Sequence, residues 1–228
     1  MNNIHFVTGA IVIAGAMISG AVVYSNTVDC GAERSTVVKE DRGETETTEK
    51  TDISDIDIDG WPQKGNPEAS VVIIEYSDYV CPFSKRLNDE AMTRIKEKYV
   101  ENGDVLLVFK DLPVVGGDRA AEAAHCAGEQ GYYWEYHDIL FENQTADRPK
   151  WSDPEIHRGY ADRLGLDSAG LVECFNERRY RDKVIASARE AQALGGRGTP
   201  FVVINQNLIS GAQPYQVFEQ IIERELAN

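Results

Sequence analysis

The sequence contains few basic residues, few cysteines and no pair of cysteines at the CxxC spacing. Its 228 residues hold 23 Lys and Arg against 38 Asp and Glu, for a formal net charge of −15. Because no basic patch is visible, nucleic acid is not expected as a partner. The chain also lacks the CxxC and HxxxH spacings of zinc ligands, so no metal site is predicted, and nothing in the sequence requires a cofactor.

Positive charge is missing from the N-terminus, where no charged side chain precedes Asp29. The run from Phe6 to Tyr24 is apolar or small throughout, and about 19 residues are enough to cross a hydrocarbon core as a helix. A cleaved signal peptide is the alternative, but such peptides usually begin with basic residues and have a shorter apolar run. We therefore predict a transmembrane anchor over residues 1–26.

Large apolar side chains are scarce over residues 27–55, which are rich in Thr and Glu. Such a segment cannot bury enough apolar surface to offset the entropy lost on ordering. We predict an acidic flexible linker here, followed by a globular domain over residues 56–228. The nearest bases, Arg34 and Lys39, follow the anchor and by the positive-inside rule slightly favour a cytoplasmic domain.

The globular part alternates between strand-like and helical patterns. Val71 to Ile74 and Val105 to Phe109 are continuous apolar runs, typical of strands buried on both faces, with a helical pattern between them. A long helical block covers about residues 115–195. Two short strands, at Phe201 to Ile204 and around Leu208, precede a last helix from about Pro214. The predicted class is α/β, in the order β-α-β, helical block, β-β-α.

A single thiol occupies the first strand-to-helix turn, in the motif Cys81-Pro82-Phe83-Ser84. A helix N-terminus offers unpaired backbone N–H groups and the positive end of the helix dipole, which favour a thiolate there. Pro82 suits the first helical position because it lacks an N–H group. We expect Cys81 to be a reactive, exposed nucleophile. The alternative is an inert cysteine buried in a core turn.

Four stretches of the globular part resemble the DsbA-type thiol-disulfide oxidoreductases. They are Glu75 to Phe83, Ala120 to Gly131, Gly198 to Phe201 and Ile209 to Tyr215. The resemblance covers about residues 60 to 227 and implies a thioredoxin-like fold with an inserted all-helical domain. It also implies disulfide exchange with cysteine-containing substrate proteins. Ser84 departs from the family, which has a second cysteine at this position.

The resemblance implies roles for several other residues. Pro200 would be a cis-proline beside the cysteine turn, leaving Thr199 free to pair with a substrate strand. Glu75 would be a buried acid that exchanges protons with the cysteine, with Lys110 as its charge partner. From the residues alone, Glu75 and Lys110 are equally well explained as solvent-facing side chains at strand ends. A trans-proline on an edge strand is the alternative for Pro200, and Gly198 before it argues against that alternative.

Two further cysteines, Cys126 and Cys174, lie in the helical block. The resemblance implies a structural disulfide between them, and two buried free thiols are the alternative. A disulfide requires an oxidising compartment. This requirement outweighs the weak charge rule, so we expect a single-pass protein of the cell membrane with an extracytoplasmic C-terminal domain.

Ser84 leaves open how a mixed disulfide on Cys81 would be resolved. Its hydroxyl can hydrogen-bond a thiolate but cannot displace a sulfur. The attacking thiol could belong to the substrate, giving isomerisation, to a small external thiol or a membrane redox partner, or to Cys30 on the linker. A serine introduced by mutagenesis to trap substrates would give the same sequence as a natural one. A redox-inactive peptide-binding or chaperone-like module is the alternative function.

Overall fold

A computed structural model describes residues 56–228. The predicted anchor over residues 1–26 and the linker over residues 27–55 therefore lie outside the described residues. Within the described part, no helix combines the length and the apolar character needed to cross a membrane.

A five-stranded mixed sheet forms the centre of the fold, in the spatial order β1-β3-β2-β4-β5. The strands are β1 Gln63–Gly65, β2 Val71–Ser77, β3 Val105–Asp111, β4 Phe201–Ile204 and β5 Asn207–Ser210. β2 and β3 are parallel and the other neighbours are antiparallel. The two predicted central strands are confirmed, and both are almost wholly buried. β1 was not predicted, because three residues are too few to show a hydrophobic period.

One helix follows β2 and six more follow β3. The helix α1 consists of α-helical and π-helical stretches in succession: Pro82–Leu87, Asn88–Met92, Thr93–Ile95 and Lys96–Val100. The later helices are α2 Asp118–Gly128, α3 Tyr133–Glu142, α4 Pro154–Leu164, α5 Ser168–Asn176, α6 Arg181–Ala193 and α7 Tyr215–Leu226, with a 3-10 helix at Arg148–Ser152. Apart from β1, the predicted order of strands and helices is confirmed.

The sheet separates two apolar layers because successive strand residues face opposite sides. Ile73 shares a buried cluster with Leu87 of α1 and Phe218 of α7. Its neighbour Ile74 belongs to a cluster that includes Ala191 of α6. The two faces therefore carry different helices, and the face on which a strand residue lies determines its partners.

The inserted helices form their own aromatic-rich core, which a disulfide crosses. Cys126 of α2 is bonded to Cys174 of α5, with an S–S distance of 1.99 Å. The sequence predicts one periodic helical stretch over residues 168–191, but the structure breaks it into α5 and α6. Arg178 adopts a left-handed backbone conformation (φ 56°) at the break. Its guanidinium donates to the buried carboxylate of Glu122, which stabilises the turn.

Candidate active site

Cys81 is the residue immediately before α1, as the motif predicts. Its backbone is extended (φ −78°, ψ 120°), and Pro82 is the first helical residue. The backbone N–H of Cys81 donates to the Asp78 carbonyl at 3.0 Å, and its own carbonyl accepts from the Lys85 N–H at 3.1 Å. The strand-to-helix turn therefore has a fixed geometry, with the thiol at the N-terminal end of the helix.

The peptide bond between Thr199 and Pro200 is cis and lies beside this turn. The Cys81 Sγ donates to the Thr199 carbonyl oxygen at 3.3 Å across 118 residues of sequence. Both Thr199 and Pro200 are buried, and the Thr199 hydroxyl oxygen has no hydrogen-bond partner among the described residues. The cysteine turn and the cis-proline segment thus come together, and Thr199 contacts the thiol directly.

The expected exposure of Cys81 is wrong, because its side chain is 0% exposed. Cys81 forms a small apolar cluster with buried Val115, and half-buried Phe83 packs against it. Val115 belongs to the loop after β3, and its N–H donates to Asp78 Oδ2 at 2.7 Å, which holds this loop over the turn. Burial therefore comes from a distant loop that local sequence does not reveal. A substrate must displace part of this cover to reach the sulfur.

Ser84 lies on the first turn of α1 and is fully buried. Its Oγ accepts a hydrogen bond from the Asp78 N–H at 3.3 Å. The hydrogen bonds found among residues 56–228 include none between Ser84 and the Cys81 sulfur. In this state the hydroxyl supports the backbone of the turn, rather than the thiol as the sequence suggested.

Glu75 is buried near the end of β2, so the alternative that it faces solvent is wrong. Burial raises the pKa of Glu75 from 4.5 to about 7, against the opposing effects of the Ser77 hydroxyl and the Lys96 charge. The Ser77 hydroxyl donates to Glu75 Oε1 at 2.6 Å. A carboxyl group with such a pKa exchanges protons near neutral pH.

The predicted pairing of Glu75 with Lys110 is wrong. In the β2–β3 register, Lys110 lies opposite Tyr76, whereas Glu75 lies opposite Phe109. Glu75 and Lys110 therefore face opposite sides of the sheet. Lys110 is buried and forms an ion pair with Glu190 of α6, to which the Tyr76 hydroxyl also donates.

Replacement of Glu75 by Gln is expected to change how stability depends on pH. In the folded state the Glu75 carboxyl group keeps its proton up to about pH 7, whereas in the unfolded chain it loses this proton near pH 4.5. The wild-type free energy of unfolding should therefore fall by about 3 kcal/mol as pH rises across this window, and the variant should lack this loss. Urea unfolding at several pH values measures the difference. Curves that stay parallel from pH 4 to pH 8 would contradict the assignment.

Two residues of the site went unnoticed in the sequence. The Asp78 carboxylate accepts from the backbone N–H groups of Val80 and Val115, and burial raises its pKa to about 6 despite those bonds. Gln144, after α3, donates to the carbonyls of Tyr79 and Cys81. An acid three residues before the cysteine was the available signal for Asp78. Nothing local marks Gln144, since its partners are more than 60 residues away.

The described residues offer no metal site at this turn. No group of three or more His, Cys, Asp or Glu side chains in residues 56–228 is arranged to hold a metal ion. Cys126 and Cys174 are bonded to each other. Within this part of the chain, Cys81 is the free cysteine. The chemistry that this arrangement supports is exchange at a single sulfur.

Comparison with known proteins gives consistent matches to the globular part. A family model described as Thioredoxin matches residues 60–224. Disulfide bond formation protein D of Bacillus subtilis is 25% identical over 176 residues, which cover 74% of this chain and 78% of that protein. The Na(+)/H(+) antiporter NhaA 3 of Salinispora tropica is 32% identical over 166 residues, but the chain spans only 24% of the antiporter.

A solved structure shares both the fold and the insertion. The oxidised BdbD of Bacillus subtilis matches with a TM-score of 0.70 at 25% identity, over 75% of this chain and 96% of that one. The match therefore extends well beyond the central sheet into the helices between β3 and β4. The chain belongs to the thioredoxin family and carries the helical insertion of its DsbA-type members.

Proposed function

We propose that the protein is a membrane-anchored, extracytoplasmic thiol-disulfide exchange protein that acts through Cys81 alone. The observation that carries the proposal is a contact between the Cys81 sulfur, which lies at the start of a helix, and the carbonyl of Thr199, which precedes a cis-proline. A thiol in this position has backbone N–H groups on one side and a peptide segment able to contact a substrate chain on the other. The relatives' names, which refer to disulfide bond formation, support the same chemistry.

The proposed reaction begins with attack of the Cys81 thiolate on a substrate disulfide. One new S–S bond joins Cys81 to the substrate, and the other substrate sulfur leaves as a thiolate that takes up a proton. A second thiol of the substrate then attacks the mixed disulfide, forms a new substrate disulfide and releases Cys81. No net oxidation occurs, so the cycle is an isomerisation. If small external thiols act in the second step, one attacks the Cys81 sulfur and releases the reduced substrate, and another then frees Cys81 and leaves as the small-molecule disulfide.

The roles of the remaining site residues follow from their positions. Glu75, with its pKa near 7, accepts or supplies a proton as Cys81 cycles between its thiol and thiolate forms. Thr199 and Pro200 contact the backbone of the substrate next to its cysteine. Pro82, Phe83 and Ser84 hold the turn, with Phe83 as part of the apolar cover that a substrate displaces.

The disulfide between Cys126 and Cys174 supports an extracytoplasmic location, since such bonds persist in oxidising compartments. The apolar run from Phe6 to Tyr24 supplies the proposed anchor. A cysteine reagent that cannot cross membranes, applied to intact cells, should label Cys81 slowly at the outer face, as the cover over its buried sulfur opens. Labelling that requires cell lysis would contradict the proposed orientation.

Replacement of Cys81 by Ala is expected to abolish covalent capture of substrates. The full-length protein is incubated with an extracytoplasmic extract, quenched with acid and separated on gels without reductant. The wild type should form adducts that disappear on reduction and that contain Cys81 peptides, whereas the variant should form none. Adducts of equal yield in both would place the reactive sulfur elsewhere. Non-covalent binding without any adduct in the wild type would favour the peptide-binding module.

A further inference from the structure

Gln144 connects the inserted helices to the backbone of the cysteine turn. It follows α3 directly, and its Nε2 donates to the Tyr79 carbonyl at 2.8 Å and to the Cys81 carbonyl at 3.0 Å. The Cys81 carbonyl also accepts from the Lys85 N–H, so Gln144 uses its second acceptor position. One partly buried amide group thus fixes two carbonyls of the same turn, one of which belongs to the reactive residue.

These two carbonyls matter because one belongs to Cys81 itself and the other lies two residues before it, in the turn that carries the sulfur. An N–H donor on each carbonyl ties this backbone to the insertion. The amide of Gln144 therefore restricts the movement of Cys81, whose side chain is buried, without contacting the sulfur.

The side chain of Tyr79 also connects the cysteine turn to the inserted helices. Its ring packs against Phe141, and its hydroxyl hydrogen-bonds the Tyr133 hydroxyl and His137 Nδ1. These contacts hold Tyr79, two residues before the cysteine, but leave the backbone of Cys81 itself unfixed. Gln144 is the side chain of the insertion that bonds to the Cys81 backbone.

We propose that Gln144 is a positioning residue for disulfide exchange. It fixes the carbonyls of Tyr79 and Cys81, so that the Cys81 sulfur stays at the N-terminus of α1 and in contact with Thr199. This inference rests on the proposed thiol-exchange function and assigns a role in it to the helical insertion.

The test compares Gln144→Met with Asn143→Leu in the full-length protein. Both changes remove a side-chain amide of similar size, but Asn143 donates only to Ile139 of its own helix, at 2.8 Å. The rate of Cys81 alkylation by iodoacetamide at pH 7 is followed from the mass of the Cys81 peptide. Gln144→Met should react about fivefold faster, because the loss of about one net hydrogen bond eases the opening that exposes the buried Cys81 sulfur. Asn143→Leu should match the wild type.

A third variant, Gln144→Lys, restores N–H donors of similar reach. It should react at the wild-type rate, which keeps the test decisive if Gln144→Met folds poorly. Equal acceleration by Met and Lys, or no acceleration by Met, would overturn the proposal. Alkylation needs no substrate protein, so a failure of substrate capture with normal alkylation would count against the proposed function and not against the role of Gln144.

Discussion

Replacement of Ser84 by Cys is expected to turn the exchange protein into a dithiol oxidase. Residues three apart on a helix have Cα atoms about 5 Å apart, which lies within the range that a disulfide with Cys81 can bridge. The introduced thiol attacks the mixed disulfide from within the same molecule. Because oriented intramolecular attack far exceeds attack by a millimolar external thiol, release of substrate should accelerate on the order of a thousandfold. Oxidation of a reduced substrate protein with glutathione disulfide as oxidant measures the gain.

The matched control is Asp89→Cys, which adds a thiol to the same helix about 12 Å from Cys81 along the helix axis. Asp89 is about half exposed, so the added thiol is accessible but cannot reach Cys81. This variant should show no gain over the wild type. If Ser84→Cys also shows no gain, then the buried Ser84 side chain and Cys81 do not face each other during the reaction, and the site differs from the dithiol members of the family in more than one atom.

The sheet and most helices could be predicted from sequence because their signals are local. The apolar run at Val71 marks a strand buried on both faces, and Asp153-Pro154 marks the start of α4, where Asp153 caps the Glu155 N–H in the structure. Helical spacing persists across Ser168 to Ala191, so it did not reveal the break at Arg178. That break depends on the buried carboxylate of Glu122, which comes from a different helix.

The position of the reactive thiol could be predicted from the local sequence, but its surroundings could not. Cys81-Pro82 identified the turn, whereas the burial of Cys81 depends on Val115, which Asp78 holds in place from the end of another strand. Lys110 was assigned to the wrong acid because chain position alone does not give the register of β2 against β3. Once the register is known, the alternation of side chains along the strands places Glu75 and Lys110 on opposite faces of the sheet.

Removal of the disulfide by the double change Cys126→Ala and Cys174→Ala is expected to destabilise the protein by about 4 kcal/mol. The bond closes a loop between residues separated by 48 positions, and restricting the unfolded chain over such a loop gives roughly this value. Both side chains are also buried, so Ala substitution leaves unfilled space in the core of the insertion. Urea unfolding with the linear extrapolation of the free energy measures the loss.

Reductant provides the internal control for the disulfide. It should destabilise the wild type towards the double variant and should leave the double variant unchanged, since the variant has no disulfide among its described residues. The insertion also holds the cysteine turn through Tyr79 and Gln144. Loosening its core should therefore expose the buried Cys81 sulfur and speed its alkylation at urea concentrations well below the unfolding midpoint. A variant within about 1 kcal/mol of the wild type, or one whose stability still responds to reductant, would show that the Cys126–Cys174 bond does not constrain the unfolded chain as its loop length requires.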